Sequence, residues 1–286
     1  FTISFGLRGI ARLMQWLVPI MALLWVAASL FVAALHLDQV PGVLATIVKS
    51  AFGWREVASG ALGYTFSQAL MAGFQRGMFS NEAGMGSTPN AAAAAASWPP
   101  HPAAQGIVQM IGVFTDTIII CSASAMILLL AGPVPHASGT VGIQLLQQAL
   151  VTLTGGWGAG FVSLILILFA FSSIVVNYLY AENNLIFLKL DSRAAIGTLR
   201  LGVILMVVAG SLLTMPLVCQ LADIIMALMA ITNLTAILLL SPVVTLIARD
   251  YLRQRKLGVP PVFDPARYPD IKAQLAPGTW DDLPRQ

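Results

Sequence analysis

Stretches of apolar residues long enough to cross a bilayer recur along this chain, and nothing constrains its fold more. A membrane-spanning helix needs about 20 mostly apolar residues. Runs of that kind lie at about 13–37, 107–130, 161–188, 201–215 and 217–247. Inside lipid no water pairs with the backbone, so each run must close its own hydrogen bonds as a helix. Charge usage agrees: 58% of the 286 residues are hydrophobic and 9% charged, where a soluble domain carries roughly 25% charged residues. Fifteen Lys and Arg with twelve Asp and Glu cannot coat a soluble surface of this size. The fold class is therefore an all-α integral membrane bundle with the lipid bilayer as its solvent. One further segment, 60–97, is interrupted by Arg76, Ser80, Asn81 and Glu82 and by Gly73, Gly77, Gly84 and Gly86. A continuous lipid-facing helix would not tolerate this, so about six transmembrane segments are expected, one of them broken.

Basic residues set the orientation. Arg8 and Arg12 precede the first run, Lys189, Arg193 and Arg200 lie between the fourth and fifth, and Arg249, Arg253, Arg255 and Lys256 follow the last. Placing all three groups in the cytoplasm makes the spans alternate, and 131–156 and the Met215-Pro216 turn, which carry no Lys or Arg, fall outside. Residues 41–54, with Lys49, are too short to span and read as an outer-surface helix. The organisation is then a transmembrane bundle over 1–257 and a cytoplasmic tail over 258–286. Because the first residue is Phe1, the chain reads as part of something longer.

Several function classes are disfavoured. A net charge of +3, with the basic residues beside apolar runs, is no nucleic-acid footprint. Cys121 and Cys219 lie in apolar runs at no metal-ligand spacing and read as small buried hydrophobes. An enzyme is not expected: His36, His101 and His136 fall in loops, and neither H-E-x-x-H nor G-x-S-x-G occurs. No period of 20 to 50 residues points to a solenoid. Ala91 to Ala96 reads as a packed helix face, since Ala favours helix and lets membrane helices approach.

The chemistry concentrates in the broken segment. Ionisable groups at membrane depth cost about 2.5–3.5 kcal/mol each, so they persist where protein or water compensates them. Arg76 and Glu82 could pair and lock the bundle if 79–86 unwinds. Equally, unwound glycines would free backbone groups for a carboxylate, an ammonium or Na+. Asp116 and Asp223 are two more carboxylates inside apolar runs. Either could bind a cation or relay a proton, but structural hydrogen bonding or gating is the favoured role. Glu182 lies towards a span's cytoplasmic end, where solvation is favoured over a gate, and Asn233 is placed to bond across helices.

The run RGMFSNEAGMGSTPN from Arg76 to Asn90, followed by alanines, closely resembles the signature of the alanine/glycine:cation symporters, the sodium:alanine symporter family. So do QGIVQMIGVFTDT from Gln105 to Thr117, FAFSS from Phe169 to Ser173 and LADIIMALMAITNL from Leu221 to Leu234. The resemblance implies a leucine-transporter-type inverted-repeat bundle, truncated here at the N-terminus so that this is the C-terminal portion. It implies sodium ion as the coupling ion, a small neutral amino acid as substrate, and a bacterial inner (plasma) membrane.

By the same resemblance, Phe79, Ser80, Asn81 and the backbone of Ala83 and Gly84 contact substrate, with Phe79 capping its side chain or else simply packing. Ser172 and Ser173 stand where the family commonly has paired threonines and would ligate sodium, unless their hydroxyls bond their own helix. Two positions depart from the family pattern: Asn177 and Cys219 each stand where Trp is common. A pocket lined by Asn177 would be larger or more polar, which weakens any transfer of substrate identity. The function expected is sodium-coupled symport by alternating access. The competing readings are a non-transporting membrane fragment and a channel-like subunit; the oligomeric state is not legible.

Overall fold

The computed structural model describes residues 6–52, 62–82, 84–132, 142–276 and 279–280. Among these, every regular element is helical. They are α1 (Gly6–Leu35), α2 (Val40–Ala51), α3 (Leu62–Asn81), α4 (Thr88–Ala94), α5 (Pro102–Thr115), a π-helical turn (Asp116–Cys121), α6 (Ser122–Leu130), α7 (Ile143–Thr154), α8 (Trp157–Phe187), α9 (Arg193–Leu212), α10 (Met215–Lys256), a 3-10 turn (Pro265–Arg267) and α11 (Pro269–Lys272). Five stretches of the described chain are long and apolar enough to cross a membrane: Arg12–Leu35, Pro102–Leu130, Trp157–Phe187, Arg193–Leu212 and Met215–Lys256. They are the five unbroken runs of the sequence, as an integral membrane bundle requires, and the short stretch expected to be helical over 41–54 forms α2. The chain forms two compact units, one of Phe1–Asn81 with Phe114–Leu212 and one of Glu82–Val113 with Leu213–Gln286.

In the first unit the core joins α1, α6, α7 and α8 through Trp25, Val32, Ile127, Leu130, Ala149, Leu150, Val162 and Ile165. Trp25 lies parallel to Phe161 at 6.5 Å and donates its indole N–H to Ser124 Oγ at 3.0 Å, so the buried polar atom has a partner. Helix α7 occupies a stretch that charge counting treats as a plain loop. It is only 12 residues long and mixes glutamines with leucines, so it cannot span. It buries Ala149 and Leu150 completely, while Gln147 Nε2 donates to Ala159 O at 3.2 Å and Ser163 Oγ at 3.1 Å on α8.

The α7–α8 hairpin depends on Gly158. A Cβ there would lie 2.7 Å from Thr154 Oγ1 and 3.1 Å from the Leu150 carbonyl. Because the second neighbour is backbone, Gly158→Ala is expected to destabilise the protein by about 1–3 kcal/mol. Thermal unfolding in detergent should show a lowered Tm; an unchanged Tm would mean that the hairpin yields without cost.

In the second unit α10 dominates. Its 42 residues at 1.5 Å per residue run about 63 Å, twice the ~30 Å hydrocarbon core. The run expected over 217–247 thus continues as helix to Lys256, where Arg253, Arg255 and Lys256 in the last turn oppose the negative end of the helix dipole. Pro216, expected in a turn, instead sits in the first helical turn, where its missing N–H loses no bond. Beyond Gly258, which takes φ +73°, the tail folds back. Val262 N–H donates to Gln254 Oε1 at 2.9 Å, Phe263 N–H donates to Pro100 O at 3.0 Å, and the Phe263 ring is buried.

Candidate substrate and cation site

The broken segment unwinds later than the sequence suggests. Helix α3 stays regular through Phe79 and Ser80 to Asn81. The left-handed backbone begins at Glu82 (φ +51°) and recurs at Gly84 (+80°) and Gly86 (+100°); Ala83 lies outside the described residues. Positive φ is open to glycine at no steric cost, so Gly84 and Gly86 fix where the helix breaks, and Glu82 is held strained beside them. Freed carbonyls find new partners: Glu82 O accepts Met85 N–H at 3.1 Å, and Gly86 O accepts Asn90 Nδ2 at 3.3 Å. Helix α4 then restarts at Thr88 with Pro89 in its first turn.

Both glycines also allow close approach within the second unit. A Cβ on Gly84 would lie 3.2 Å from Leu234 Cδ2, and one on Gly86 3.2 Å from Asn233 Cβ. Asn233, expected to bond across helices, thus meets the break by contact.

In the first unit the last turn of α3 meets the π-helical turn. Ser80 Oγ donates to Asp116 Oδ2 at 2.6 Å and lies 3.2 Å from Cys121 Sγ. The Cys121 thiol lies 3.8 Å from the same carboxylate oxygen. Asn81 Nδ2 donates to Thr117 Oγ1 at 2.8 Å, and Thr117 Oγ1 stands 3.1 Å from Asn81 Oδ1. A π turn closes i to i+5, which brings Asp116 and Cys121 together; an α-helix would set them apart. The side chains of Ser122 and Ser124 then cover carbonyls of this turn, at Thr117 O (3.4 Å) and Ile120 O (3.3 Å). Cys121 is therefore part of a polar cluster, not the simple apolar filler its flanks suggest. The donor set of Ser80, Asn81, Asp116 and Thr117 offers hydroxyl, amide and carboxylate oxygens, the hard ligands that suit an alkali cation or an ammonium.

Helix α8 carries the other expected ligands. Ser172 is buried and donates to Phe169 O at 2.9 Å, with Met21 Sδ at 3.8 Å, so its proton is committed to its own helix. Ser173 and Asn177 share an exposed stripe, Asn177 Nδ2 donating to Ser173 O at 2.9 Å. Glu182, for which solvation is the simpler expectation, is buried. It hydrogen-bonds Tyr178, whose hydroxyl accepts Arg200 Nε at 3.0 Å. Arg76 is exposed on α3 and Asp223 half-buried on α10. Ion pairs join His101 and Arg253 to Asp250, and Arg267 to Asp264.

Sequence reasoning passed over Cys121, and His101 with Asp250. The first could be found only by knowing that the helix changes pitch. The second could have been suspected from Asp250, an acid among arginines.

Known proteins resemble the chain along nearly all of its length. It is 65% identical over 284 residues to the Escherichia coli "Uncharacterized transporter YaaJ", covering 99% of this chain and 60% of that protein. It is 46% identical to the Bacillus subtilis "Probable sodium/glutamine symporter GlnT" (92% and 53% covered) and 44% identical to the "Amino-acid carrier protein AlsT" of the same species (99% and 58%). The chain thus spans a little over half the length of these relatives. A family model described as "Sodium:alanine symporter family" matches residues 1–265, and the chain, a multi-pass membrane protein and no enzyme, belongs to the sodium:alanine symporter family.

Proposed function

We propose that this chain carries the broken-helix part of a symporter that couples a small neutral amino acid to Na+ by alternating access, in a bacterial inner membrane and on a leucine-transporter-type bundle. The observation that carries this is the oxygen-rich cluster of Ser80, Asn81, Asp116 and Thr117 at the very end of α3, one residue before the helix unwinds. Acids and amides at membrane depth persist where they serve a pathway or are fully paired, and a half-helix end is where transporters of broken-helix type hold their cargo. In this mechanism Asp116 and its hydroxyl neighbours stabilise positive charge, and Phe79 closes over the substrate side chain. Backbone groups at Gly84 meet its carboxylate or ammonium. Ser172 and Ser173 on α8 are proposed as ligands of a separate sodium. Arg76, Glu82 and Asp223 hold or gate the helices. Alanine is the substrate the family description names, while one relative at 46% identity is named for glutamine; an Asn at position 177 suits a roomier, more polar pocket.

Radiolabelled alanine, glycine and glutamine uptake into proteoliposomes of the full-length protein, with and without an inward Na+ gradient, tests the proposal. Gradient-driven accumulation supports it, and flux indifferent to Na+ points to a channel. Within that assay Ser173→Ala is expected to raise the Na+ concentration for half-maximal uptake several-fold while leaving substrate preference unchanged. An unchanged Na+ dependence would remove Ser173 from the ion's shell. Asn177→Trp is expected to favour the smaller amino acids; unaltered preference would place it outside the pocket.

A further inference from the structure

The bend ahead of α5 and the end of α10 enclose a second polar cluster, to which the transport mechanism assigns no part. His101 is fully buried. Its Nδ1 accepts the Ala103 N–H at 3.1 Å, so the ring proton resides on Nε2, 3.5 Å from Asp250 Oδ2. Tyr251 and Phe263 stand edge-on to the ring at 5.1 and 5.7 Å. Asp250, also buried, accepts Gln254 Nε2 at 2.8 Å and Arg253 Nη2 at 3.3 Å. Gln254 spends the rest of its amide on the backbone of Val262, accepting its N–H at 2.9 Å and donating to its carbonyl at 3.0 Å. One buried cluster therefore ties three pieces of chain: the bend that follows α4, the last turns of α10, and the segment 259–268.

We propose that His101 and Asp250 form a proton-responsive latch, which clamps segment 259–268 onto the bend between α4 and α5 and releases it as the surrounding pH falls. A second proton on His101 can go only to Nδ1. There it abolishes the bond to Ala103 at the start of α5 and leaves a cation enclosed by Tyr251 and Phe263.

Among the described residues, the groups facing the ring are few. Asp250, Arg253 and Tyr251 come from α10. Tyr268 comes from the tail and hydrogen-bonds Asp250. On the bend itself the Ser97 hydroxyl donates to the His101 backbone carbonyl at 2.8 Å. Burial pushes the imidazole below its usual 6.5, outweighing the hydrogen bond and charge of Asp250 that act the other way. Burial and the Asp250 charge push the Tyr268 phenol above 10.0, out of the acid range.

The sign follows. The latched state prefers neutral His101, so latching is complete above the ordinary value and is lost as pH falls below it towards the lowered one. Release would free the bend that carries α4; that consequence rests on the symporter reading, whereas the latch itself does not.

Hydrogen exchange of the intact protein in lipid nanodiscs, corrected for intrinsic rates, tests the latch at the amides of Val262 and Phe263. Between about pH 7.5 and pH 5.5 the opening constant is expected to rise by up to about tenfold per unit once pH is below the ordinary histidine value. In His101→Asn, whose side-chain oxygen can accept the Ala103 N–H but cannot titrate, no rise is expected. Equal protection at both pH values in the unmodified protein, or a rise that survives in His101→Asn, would overturn the proposal. Should that variant leave the segment open throughout, Asp250→Asn decides. Losing the carboxylate that favours the imidazolium in the latched state must make the opening constant rise further between about pH 7.5 and pH 5.5, relative to its own value at about pH 7.5, and a rise no greater than in the unmodified protein would also overturn the latch. Since exchange is read without transport, failure here is distinct from failure of the symporter reading.

Discussion

Alanine at position 86 is expected to remove most Na+-driven uptake from the full-length protein, to below about a tenth of the unmodified rate. Two costs coincide there. Gly86 holds φ +100°, a conformation costing a residue with a Cβ about 1–3 kcal/mol. The added methyl would also sit 3.2 and 3.3 Å from Asn233 Cβ and Cγ on α10. Those atoms lie near the helix backbone and cannot swing away as a flexible side-chain tip would, so a further ~1–3 kcal/mol of overpacking follows. Chain that must re-form its break differently cannot present the same carbonyls. Uptake in proteoliposomes, normalised to protein that elutes as a single species, gives the answer. Gly86→Ala with near-normal rate would mean that neither the left-handed turn nor the contact with α10 matters to transport. Gly73 is the control, since a Cβ there meets nothing within 4 Å.

Asp116→Asn has the second largest expected effect, and it separates an ion-facing acid from a structural one. Asn keeps an acceptor for the Ser80 hydroxyl, now 2.6 Å from Asp116 Oδ2, and removes only the charge. A hydrogen bond to a charged group contributes about 1.5–3 kcal/mol, so loss of the carboxylate's interaction with a cation is expected to weaken apparent Na+ affinity by about ten- to a hundredfold. Thermal stability should change little. If Asp116 merely braces α3 against the π turn, the outcome reverses: Tm falls and the Na+ concentration dependence stays where it was. A double-mutant cycle with Ser80→Ala measures how far the two side chains act together.

The spans were legible because length and hydropathy alone decide what can cross a bilayer, and the five unbroken runs reappear as helices α1, α5 with α6, α8, α9 and α10. Their ends were less so. Helix α10 outlasts its apolar stretch because Arg249 to Lys256 continue a good helical sequence in water, where hydropathy no longer reports on helix. Helix α7 escaped because Gln144, Gln147 and Gln148 dilute its apolar face. At the break, glycine and polar content identified the segment, but the side chains of Phe79, Ser80 and Asn81 looked like unwound chain when they are the last helical turn. What decides the matter is backbone sign at Glu82, Gly84 and Gly86. The candidate site was half legible. Ser80, Asn81 and Asp116 were named, but nothing in an apolar run such as Ile118 to Ile120 announces a change of pitch, so their meeting with Thr117 and Cys121 could not be foreseen. The docked tail hinges on Phe263, a single aromatic among prolines and charges that composition reads as solvent-exposed.

The wider turn at Asp116–Cys121 amounts to a change of phase along one rod. Within it the polar side chains of Asp116, Thr117 and Cys121 address α3; downstream, Ala123, Ile127 and Leu130 address the core shared with α1 and α8. A π turn holds about one residue more than the α-turn it replaces, so deleting one residue such as Ile119 would restore ordinary pitch and leave Ser124 and the side chains beyond it close to their present phase. Such a deletion is therefore expected to spare the core while reshaping the polar turn. The two faces are thus set by separate stretches of sequence, so the polar turn can change while the packing behind it stays as it is.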